Sequence, residues 1–124
     1  MMKVFIILGA INGFLAVALG AFGAHGLEPI LTEKMMDVWE KGVDYQMFHT
    51  MGLFIVAFAA NKWSGSSAVK WSGIMMFIGI ILFSGRLYAL STSGITVLGA
   101  ITPLGGVSFL AGWILLAVAA VKGK

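Results

Sequence analysis

The chain alternates between long apolar stretches and short segments that hold its charged residues. Lys, Arg, Asp and Glu are absent from residues 4–27, 45–61, 71–85 and 87–121. A helix needs roughly 20 apolar residues to cross a bilayer core about 30 Å thick. Backbone groups in lipid must hydrogen bond within their own segment, which favours helices. The pattern therefore predicts an all-α membrane protein, built as a four-transmembrane-helix bundle.

The predicted helices fill a single domain that spans residues 1–124. Their predicted bounds are 4–24, 45–60, 71–90 and 97–121. A serine- and glycine-rich turn is predicted at 64–67, between the second and third helices. A tight, uncharged turn is predicted at 91–96, before the fourth helix.

The segment between the first two transmembrane helices is predicted to be a short amphipathic helix of residues 32–41. Its apolar residues recur one and two helical turns apart, and its charged residues fall on the other side. We expect this helix to lie at the membrane interface, with Thr32 as its N-cap and Gly42 as a hinge into the second transmembrane helix. It is either a connector that covers the bundle or a lid over a site.

Small residues recur along one face of the first helix, with alternating spacings of four and three. They are Gly9, Gly13, Ala16, Gly20 and Gly23. Because such a stripe lets a neighbouring backbone approach closely, it predicts tight helix packing. Alternatively, the stripe is the face through which two copies of the chain form a homo-oligomer, or it borders a cavity. Asn12 lies beside the stripe near mid-membrane, and we expect it to form an interhelical hydrogen bond.

Composition supports the membrane assignment and narrows the chemistry. Hydrophobic residues make up 60% and charged residues 10% of the chain, against about 45–50% and about 25% in soluble domains. The chain has no cysteine, which excludes disulfides, thiolate metal sites and cysteine nucleophiles. It carries no nucleophile–base pair, phosphate loop or nucleotide motif, so an enzymatic activity is left open but not favoured. We predict no cofactor and no nucleic-acid partner.

One end of the bundle collects most of the lysines if both termini lie there. These are Lys3, Lys62, Lys70, Lys122 and Lys124, and we call this the lysine-rich end. The opposite, acidic end holds every acid of the chain, within residues 28–44, together with Lys34, Lys41 and Arg86. The positive-inside rule places the lysine-rich end, with both termini, in the cytoplasm.

Polar residues inside the predicted helices concentrate toward the acidic end. All four helices bring one to a similar depth, and ionisable residues within a membrane mark a functional site by default. The candidate ligand-binding residues are His25, Gln46, His49, Arg86, Tyr88 and Thr102. We expect five of them, all but Arg86, to line one outward-opening cavity beneath residues 32–41. The alternative is a hydrogen-bond network that only fixes the bundle.

Arg86 is the charged member of this group. A guanidinium inside the membrane is expected to find an acidic partner, and acids are available only at the acidic end. The predicted ion pair is Arg86–Asp44, with Glu28 or Glu40 as alternative partners. Snorkelling of the Arg86 side chain to the lipid headgroups is the other outcome.

Five stretches carry a resemblance to a known family. They are GAFGAHGL at 20–27, Tyr45-Gln46 with His49, FSG at 83–85 with Leu87-Tyr88, Gly99 with TPLGG at 102–106, and Gly112-Trp113. Over nearly the whole chain, these stretches resemble domain-of-unknown-function family 423, to which eukaryotic transmembrane protein 256 is similar. The resemblance implies a four-helix protein of the bacterial cytoplasmic (inner) membrane and no known activity. Arg86 departs from the family pattern, which usually has a small residue there.

Three classes of function fit these residues. The favoured one is a binding or scaffold protein whose outward-facing polar pocket takes a lipid, a small molecule or a partner helix. A small oligomeric transporter or channel is the alternative, although no acid lies inside a predicted helix core. A metal or haem protein that uses His25 and His49 is the third choice, because imidazole suits Zn, Cu and haem iron.

Overall fold

The computed structural model describes residues 1–95 and 102–123, with the side chain of Thr102 excluded. Its helices are α1 Met2–Phe22, α2 Glu33–Lys62, α3 Ser67–Gly79, α4 Gly85–Ser93 and α5 Thr102–Lys122. A first π-turn, Gly23–Leu27, extends α1, and a second π-turn, Ile80–Ser84, joins α3 to α4. The described residues therefore form four helices long and apolar enough to cross a membrane, and the predicted architecture is confirmed.

The helix bounds differ from the predicted ones mainly by extension. The first span continues to Leu27 through the π-turn, and the third covers Ser67–Ser93 as α3, the second π-turn and α4. The predicted start of the fourth helix at residue 97 lies outside the described residues, and α5 is helical from Thr102. The predicted turn at 64–67 is present: Gly65 has a left-handed φ of 84°, and the Ser66 hydroxyl caps α3 by accepting from the Val69 N–H.

The amphipathic segment at 32–41 is helical, but it is not a separate helix. It forms the first turns of α2, which runs without a break from Glu33 to Lys62, so the predicted hinge at Gly42 is wrong. Thr32 is the N-cap as predicted, because its hydroxyl accepts from the Met35 N–H at 3.2 Å. Gly42 serves packing instead: a Cβ there would lie 2.8 Å from the Tyr88 ring.

The stripe of small residues on α1 packs against α2. A Cβ at Gly9 would lie 2.9 Å from the Phe54 ring, and one at Gly20 would lie 3.3 Å from Val43. The prediction of tight packing is confirmed, and the face of α1 that a homo-oligomer could have used is covered within the chain.

α5 packs against α3 and the second π-turn through close backbone contacts. A Cβ at Gly112 would lie 3.2 Å from the Ser72 carbonyl oxygen, and the Ser72 hydroxyl donates to the Gly112 carbonyl at 2.6 Å. The Ser108 hydroxyl donates to the Met75 carbonyl, also at 2.6 Å. Two antiparallel pairs thus result: α1 with α2, and α3 with α5.

Two apolar cores stabilise the bundle. The larger core centres on Leu53, Val56, Val69 and Met76, all fully buried. The smaller core joins Leu27, Trp39 and Val43 near the acidic end. The N-terminus, the α2–α3 turn and the C-terminal end of α5 line shared surface pockets, so both termini lie at the lysine-rich end. The buried polar side chains in the middle of α2 lie between the two cores.

Candidate functional site

Three helices are joined by a chain of side-chain hydrogen bonds that begins at Asn12 in α1. Asn12 donates its Nδ2 hydrogen to the Leu8 carbonyl oxygen at 2.9 Å. Gln46 in α2 donates from Nε2 to Asn12 Oδ1 at 3.1 Å, and the Tyr88 hydroxyl in α4 donates to Gln46 Oε1 at 2.7 Å. The predicted interhelical hydrogen bond of Asn12 is confirmed, and we call these three residues the polar network.

The hydrogen bond from Asn12 to the Leu8 carbonyl determines which atom donates and which accepts in the rest of the polar network. The Leu8 carbonyl oxygen can only accept, so it fixes the Asn12 amide with Nδ2 toward Leu8. Asn12 Oδ1 then faces Gln46 and requires a donor, which places Gln46 Nε2 there and Gln46 Oε1 toward Tyr88. The network is therefore a neutral chain of bonds with one consistent polarity.

His49 lies one helical turn after Tyr45 and belongs to a different set of contacts. Its Nδ1 lies 2.8 Å from the Tyr45 carbonyl oxygen, and the Trp113 indole N–H donates to its Nε2 at 3.0 Å. Its ring stacks on Phe109, with centroids 3.5 Å apart and planes 11° apart. Trp113 and Phe109 come from α5, so His49 connects α2 to α5.

These contacts fix the protonation state of the His49 ring. The Trp113 indole is a donor only, so Nε2 of His49 must accept and carries no hydrogen. The Tyr45 carbonyl oxygen is an acceptor only, so Nδ1 of His49 carries the hydrogen. His49 is therefore neutral, with its hydrogen on Nδ1 and both ring nitrogens occupied.

A groove of about 800 Å³ lies between α2 and α5 and exposes the His49 contacts. We call it the α2–α5 groove, and it is open along one side. Its lining is Asp44, Tyr45, Phe48, His49, Phe83, Pro103, Gly106, Val107, Phe109, Leu110 and Trp113. Asp44 is the one charged residue in this lining. The remaining lining is mostly aromatic or aliphatic, so the groove is apolar along its length and has one carboxylate, that of Asp44, at the end nearest the acidic end of the bundle.

The structure brings some of the predicted site residues together and separates others. Gln46 and Tyr88 are in direct contact through the polar network. His49 faces α5 and lines the α2–α5 groove, which Gln46 and Tyr88 do not line. His25 lies in the first π-turn and is exposed, so it does not join either set. The side chain of Thr102 lies outside what the structure describes.

The predicted Arg86–Asp44 ion pair is not formed. Arg86 is half-buried, and no acid of the part of the chain that the structure describes, Glu28 and Glu40 included, pairs with it within 4.0 Å. The physical reason is the second π-turn, which lies directly before Arg86. One extra residue in a helical turn rotates the following side chains by about 100° relative to a regular α-helix.

The described residues also fail to assemble a metal centre. Among residues 1–95 and 103–123, no three His, Cys, Asp or Glu side chains lie close enough to hold an ion. His49 could ligate through Nε2 only by giving up the Trp113 hydrogen bond. Of the two histidines in the third functional class, His25 is exposed in the first π-turn and His49 is hydrogen bonded to α5.

Sequence reasoning missed two residues that shape the site, Trp113 and Phe109. They lie four apart on α5, which places them on one face of the helix. That spacing was available as a signal, but aromatic residues four apart in an apolar helix are as compatible with lipid contact as with a ligand groove. Their role depends on which face of α5 meets α2.

Comparisons with known proteins agree on one uncharacterised group of membrane proteins. The profile of the family described as "Protein of unknown function (DUF423)" matches residues 19–106. The UPF0382 membrane protein YwdK of Bacillus subtilis (strain 168) is 62% identical over 121 residues, which cover 98% of each chain. A UPF0382 membrane protein of Staphylococcus epidermidis (strain ATCC 12228 / FDA PCI 1200) is 50% identical over the same length and coverage. No solved structure matches this chain.

Proposed function

Because this chain belongs to the DUF423 family, whose matched relatives are named only as membrane proteins, we propose its function from the geometry of its site. The chain is a membrane protein that binds an amphiphilic, lipid-like molecule in the α2–α5 groove. The observation that carries this proposal is the groove itself: about 800 Å³, apolar along its length, with one carboxylate at one end.

The size and lining of the groove suit an acyl or isoprenoid chain. Binding sites for small molecules typically measure about 300–1,000 Å³ and are lined mainly by apolar and aromatic side chains. Phe48, Val107 and Leu110 are 61%, 64% and 65% exposed, so the groove opens toward the surrounding lipid. An apolar tail can therefore enter sideways from the bilayer without passing through water.

The floor of the groove is held rigidly, which favours binding. His49 is fixed by two hydrogen bonds and by the stacked Phe109 ring. Tyr45 and Phe83 add a further ring contact with centroids 4.4 Å apart. A preformed surface loses little conformational entropy when a ligand is bound, so the flat ring faces provide a ready contact for an extended tail.

The headgroup that fits is cationic. Asp44 is exposed at the acidic end of the groove and is its one charged lining residue. A carboxylate accepts hydrogen bonds and attracts an ammonium group, while it repels a carboxylate or phosphate. The proposed ligand is therefore a single-chain or two-chain amphiphile with an amine head.

Binding can be measured with two probes that share one tail. The protein is reconstituted in phosphatidylcholine nanodiscs, and saturable uptake of octadecylamine and octadecanoic acid is compared with uptake by empty nanodiscs. We expect octadecylamine to bind up to about fivefold more tightly, since one ion pair near a surface contributes up to about 1 kcal/mol. Asp44→Asn should reduce this preference.

A blocking variant identifies the groove as the site. A Cβ at Gly106 meets no atom within 4 Å, so Gly106→Phe fills the groove without disturbing the helices. It should abolish octadecylamine binding, whereas Ile114→Phe, on a lipid-facing position of α5 outside the groove, should not. Equal binding to both variants, or a change in oligomer mass caused by Gly106→Phe alone, would reject the proposal, the latter in favour of a second copy in the groove.

We also propose that the protein lies in the bacterial cytoplasmic (inner) membrane with both termini in the cytoplasm. The lysine asymmetry between the two ends supports this orientation. Single cysteines placed at Ser66 and Thr32 test it, because the natural chain has none. In intact cells, a membrane-impermeant thiol reagent should label the Thr32 position and leave the Ser66 position unlabelled; the reverse pattern would invert the orientation.

A further inference from the structure

A second cavity, of about 340 Å³, lies where α1 faces the second π-turn and α4. We call it the α1–α4 cavity, and it shares no lining residue with the α2–α5 groove. Its polar lining residues are Asn12, Gln46, Ser84 and Tyr88, and the rest of its lining is apolar. No charged side chain lines it, so the cavity presents neutral hydrogen-bonding groups in an apolar setting.

Ser84 has an unused hydrogen-bonding group at this cavity. Its side chain is fully buried, and its hydroxyl is the one buried side-chain polar atom without a partner in residues 1–95 and 103–123. Other buried hydroxyls are paired: Thr50 donates to the Gln46 carbonyl at 2.7 Å, and Ser72 donates across to α5. Because burying an unpaired hydroxyl costs free energy, a bound group that pairs with it is stabilised there.

The polar network leaves a second amide hydrogen unused on both Asn12 and Gln46. Each amide of Asn12 and Gln46 has two hydrogens on nitrogen, and each donates only one of them to a protein acceptor. Both amide oxygens already accept one hydrogen bond. The unused groups are therefore two amide N–H donors and the Ser84 hydroxyl, which can donate or accept, and an acceptor oxygen from outside the protein could pair with any of them.

The depth of Ser84 narrows the class of acceptor. Ser84 lies 14 residues after Lys70, which corresponds to about 21 Å of helical rise within a core about 30 Å thick. A charged phosphate or carboxylate at that depth would be desolvated without a counter-charge in the cavity lining, which is costly. A carbonyl oxygen on a neutral molecule meets the unpaired donors without that cost.

We propose that the α1–α4 cavity is a second binding site, for a neutral, membrane-dissolved molecule that presents a carbonyl oxygen to the Ser84 hydroxyl. The class is that of ketones and quinones with an apolar body. The site goes beyond the proposed function, because it uses different residues and a different ligand chemistry from the α2–α5 groove.

Two probes of the same shape test the proposal. 2-Methyl-1,4-naphthoquinone carries two carbonyl oxygens, and 2-methylnaphthalene is the same skeleton without them. With the protein in phosphatidylcholine nanodiscs, and empty nanodiscs subtracted, the quinone should bind saturably and about fivefold more tightly, the effect of one hydrogen bond of about 1 kcal/mol. The chain has no cysteine, so covalent capture of the quinone by a thiol does not contribute.

Two serine variants separate a binding role from a structural one. Ser84→Ala should remove most of the quinone preference, yet leave the melting temperature of the ligand-free protein unchanged or raised, since the hydroxyl has no partner to lose. Ser72→Ala removes a buried hydroxyl that is paired with Gly112, so it should lower the melting temperature and keep the quinone preference.

Three results would overturn the proposal: equal binding of the two probes, an undiminished quinone preference in Ser84→Ala, or a loss of thermal stability in Ser84→Ala that equals the loss in Ser72→Ala. Octadecylamine binding at the α2–α5 groove should be unchanged in Ser84→Ala. Failure of one site is thus distinguishable from failure of the other.

Discussion

The two sides of α2 meet their neighbours in different ways. Toward α1, glycines remove side chains from the contact, and the backbones approach until Gly20 lies against Val43. Toward α5, the contact is made by the ends of long side chains, and the Trp113 indole donates a hydrogen bond to His49. The first side joins its polar groups in a network, and the second leaves a groove of about 800 Å³ between α2 and α5.

This difference shows how a small membrane protein can hold both a rigid seam and a binding surface. Lipid tails are as apolar as leucine, so helices associate through close packing and interhelical hydrogen bonds. Where small residues allow close packing, as between α1 and α2, the two helices leave no gap between them. Where bulky rings hold two helices apart, as between α2 and α5, an open groove remains between them. Variants on the two sides of α2 should therefore behave differently.

The largest effect is expected from filling the α1 side. A Cβ at Gly23 would collide with the Trp39 indole, whose N–H donates to the Leu19 carbonyl at 3.0 Å. Gly23→Leu should lower the free energy of unfolding by about 2–4 kcal/mol, through overpacking and the lost hydrogen bond. The free energies of unfolding of the variant and the unmodified protein can be compared by unfolding both in mixed micelles.

The matched change on the other side is Gly106→Leu. Its new side chain enters the α2–α5 groove, where a Cβ meets no atom within 4 Å. It should shift the free energy of unfolding by no more than about 0.5 kcal/mol, as for a surface position. If the two leucine variants were equally destabilised, the contrast between the two sides of α2 would not hold.

An intermediate effect is expected from Gln46→Leu. This change removes two interhelical hydrogen bonds and leaves Asn12 Oδ1 and the Tyr88 hydroxyl without partners. Such bonds average about 0.6 kcal/mol in membranes and reach about 1.7 kcal/mol, so the free energy of unfolding should fall by about 1–3 kcal/mol. Met47→Leu, at the exposed next position, is the control. A loss no greater than that of the control would mean that the polar network contributes nothing.

A smaller loss of stability than that of Gln46→Leu is expected from Trp113→Phe on the α5 side. The variant loses one hydrogen bond, to His49 Nε2, at a cost of about 0.5–1.5 kcal/mol. ¹⁵N NMR of the histidine rings gives a sharper measurement, because unmodified His49 should carry its hydrogen on Nδ1. Trp71→Phe, at an exposed tryptophan, should leave the His49 signals unchanged. A spectrum with the hydrogen on Nε2 in the unmodified protein would contradict the Trp113–His49 bond.

Local sequence patterns were sufficient for much of the fold. The number of membrane spans follows from the number of long apolar stretches. Each stretch must satisfy its own backbone hydrogen bonds in lipid and so forms a helix, whichever other helices it packs against. The Thr32 cap and the turn at Gly65 depend on residues within a few positions of each other. The stripe on α1 and the interhelical bond of Asn12 were also predictable, because α1 is a regular helix up to Phe22.

The arrangement of the site was not predictable in the same way. Gln46 and His49 are three residues apart, but one lies in the polar network and the other contacts α5. Sequence spacing placed both in the half of the predicted helix 45–60 that is nearer the acidic end and could not say which neighbouring helix each would contact. The same holds for Trp113, whose importance appears only once α5 lies beside His49.

The lengths of the apolar stretches and the positions of the charged residues were enough to predict four membrane-spanning helices and roughly where each one lies. Tertiary structure decided which of the polar residues meet. The π-turns at Gly23–Leu27 and Ile80–Ser84 are the main physical reason. Both interrupt the regular helical spacing on which a prediction of side-chain direction depends: His25 lies in the first and is exposed, Ser84 ends the second with its hydroxyl unpaired, and Arg86 follows the second without an acid within 4.0 Å.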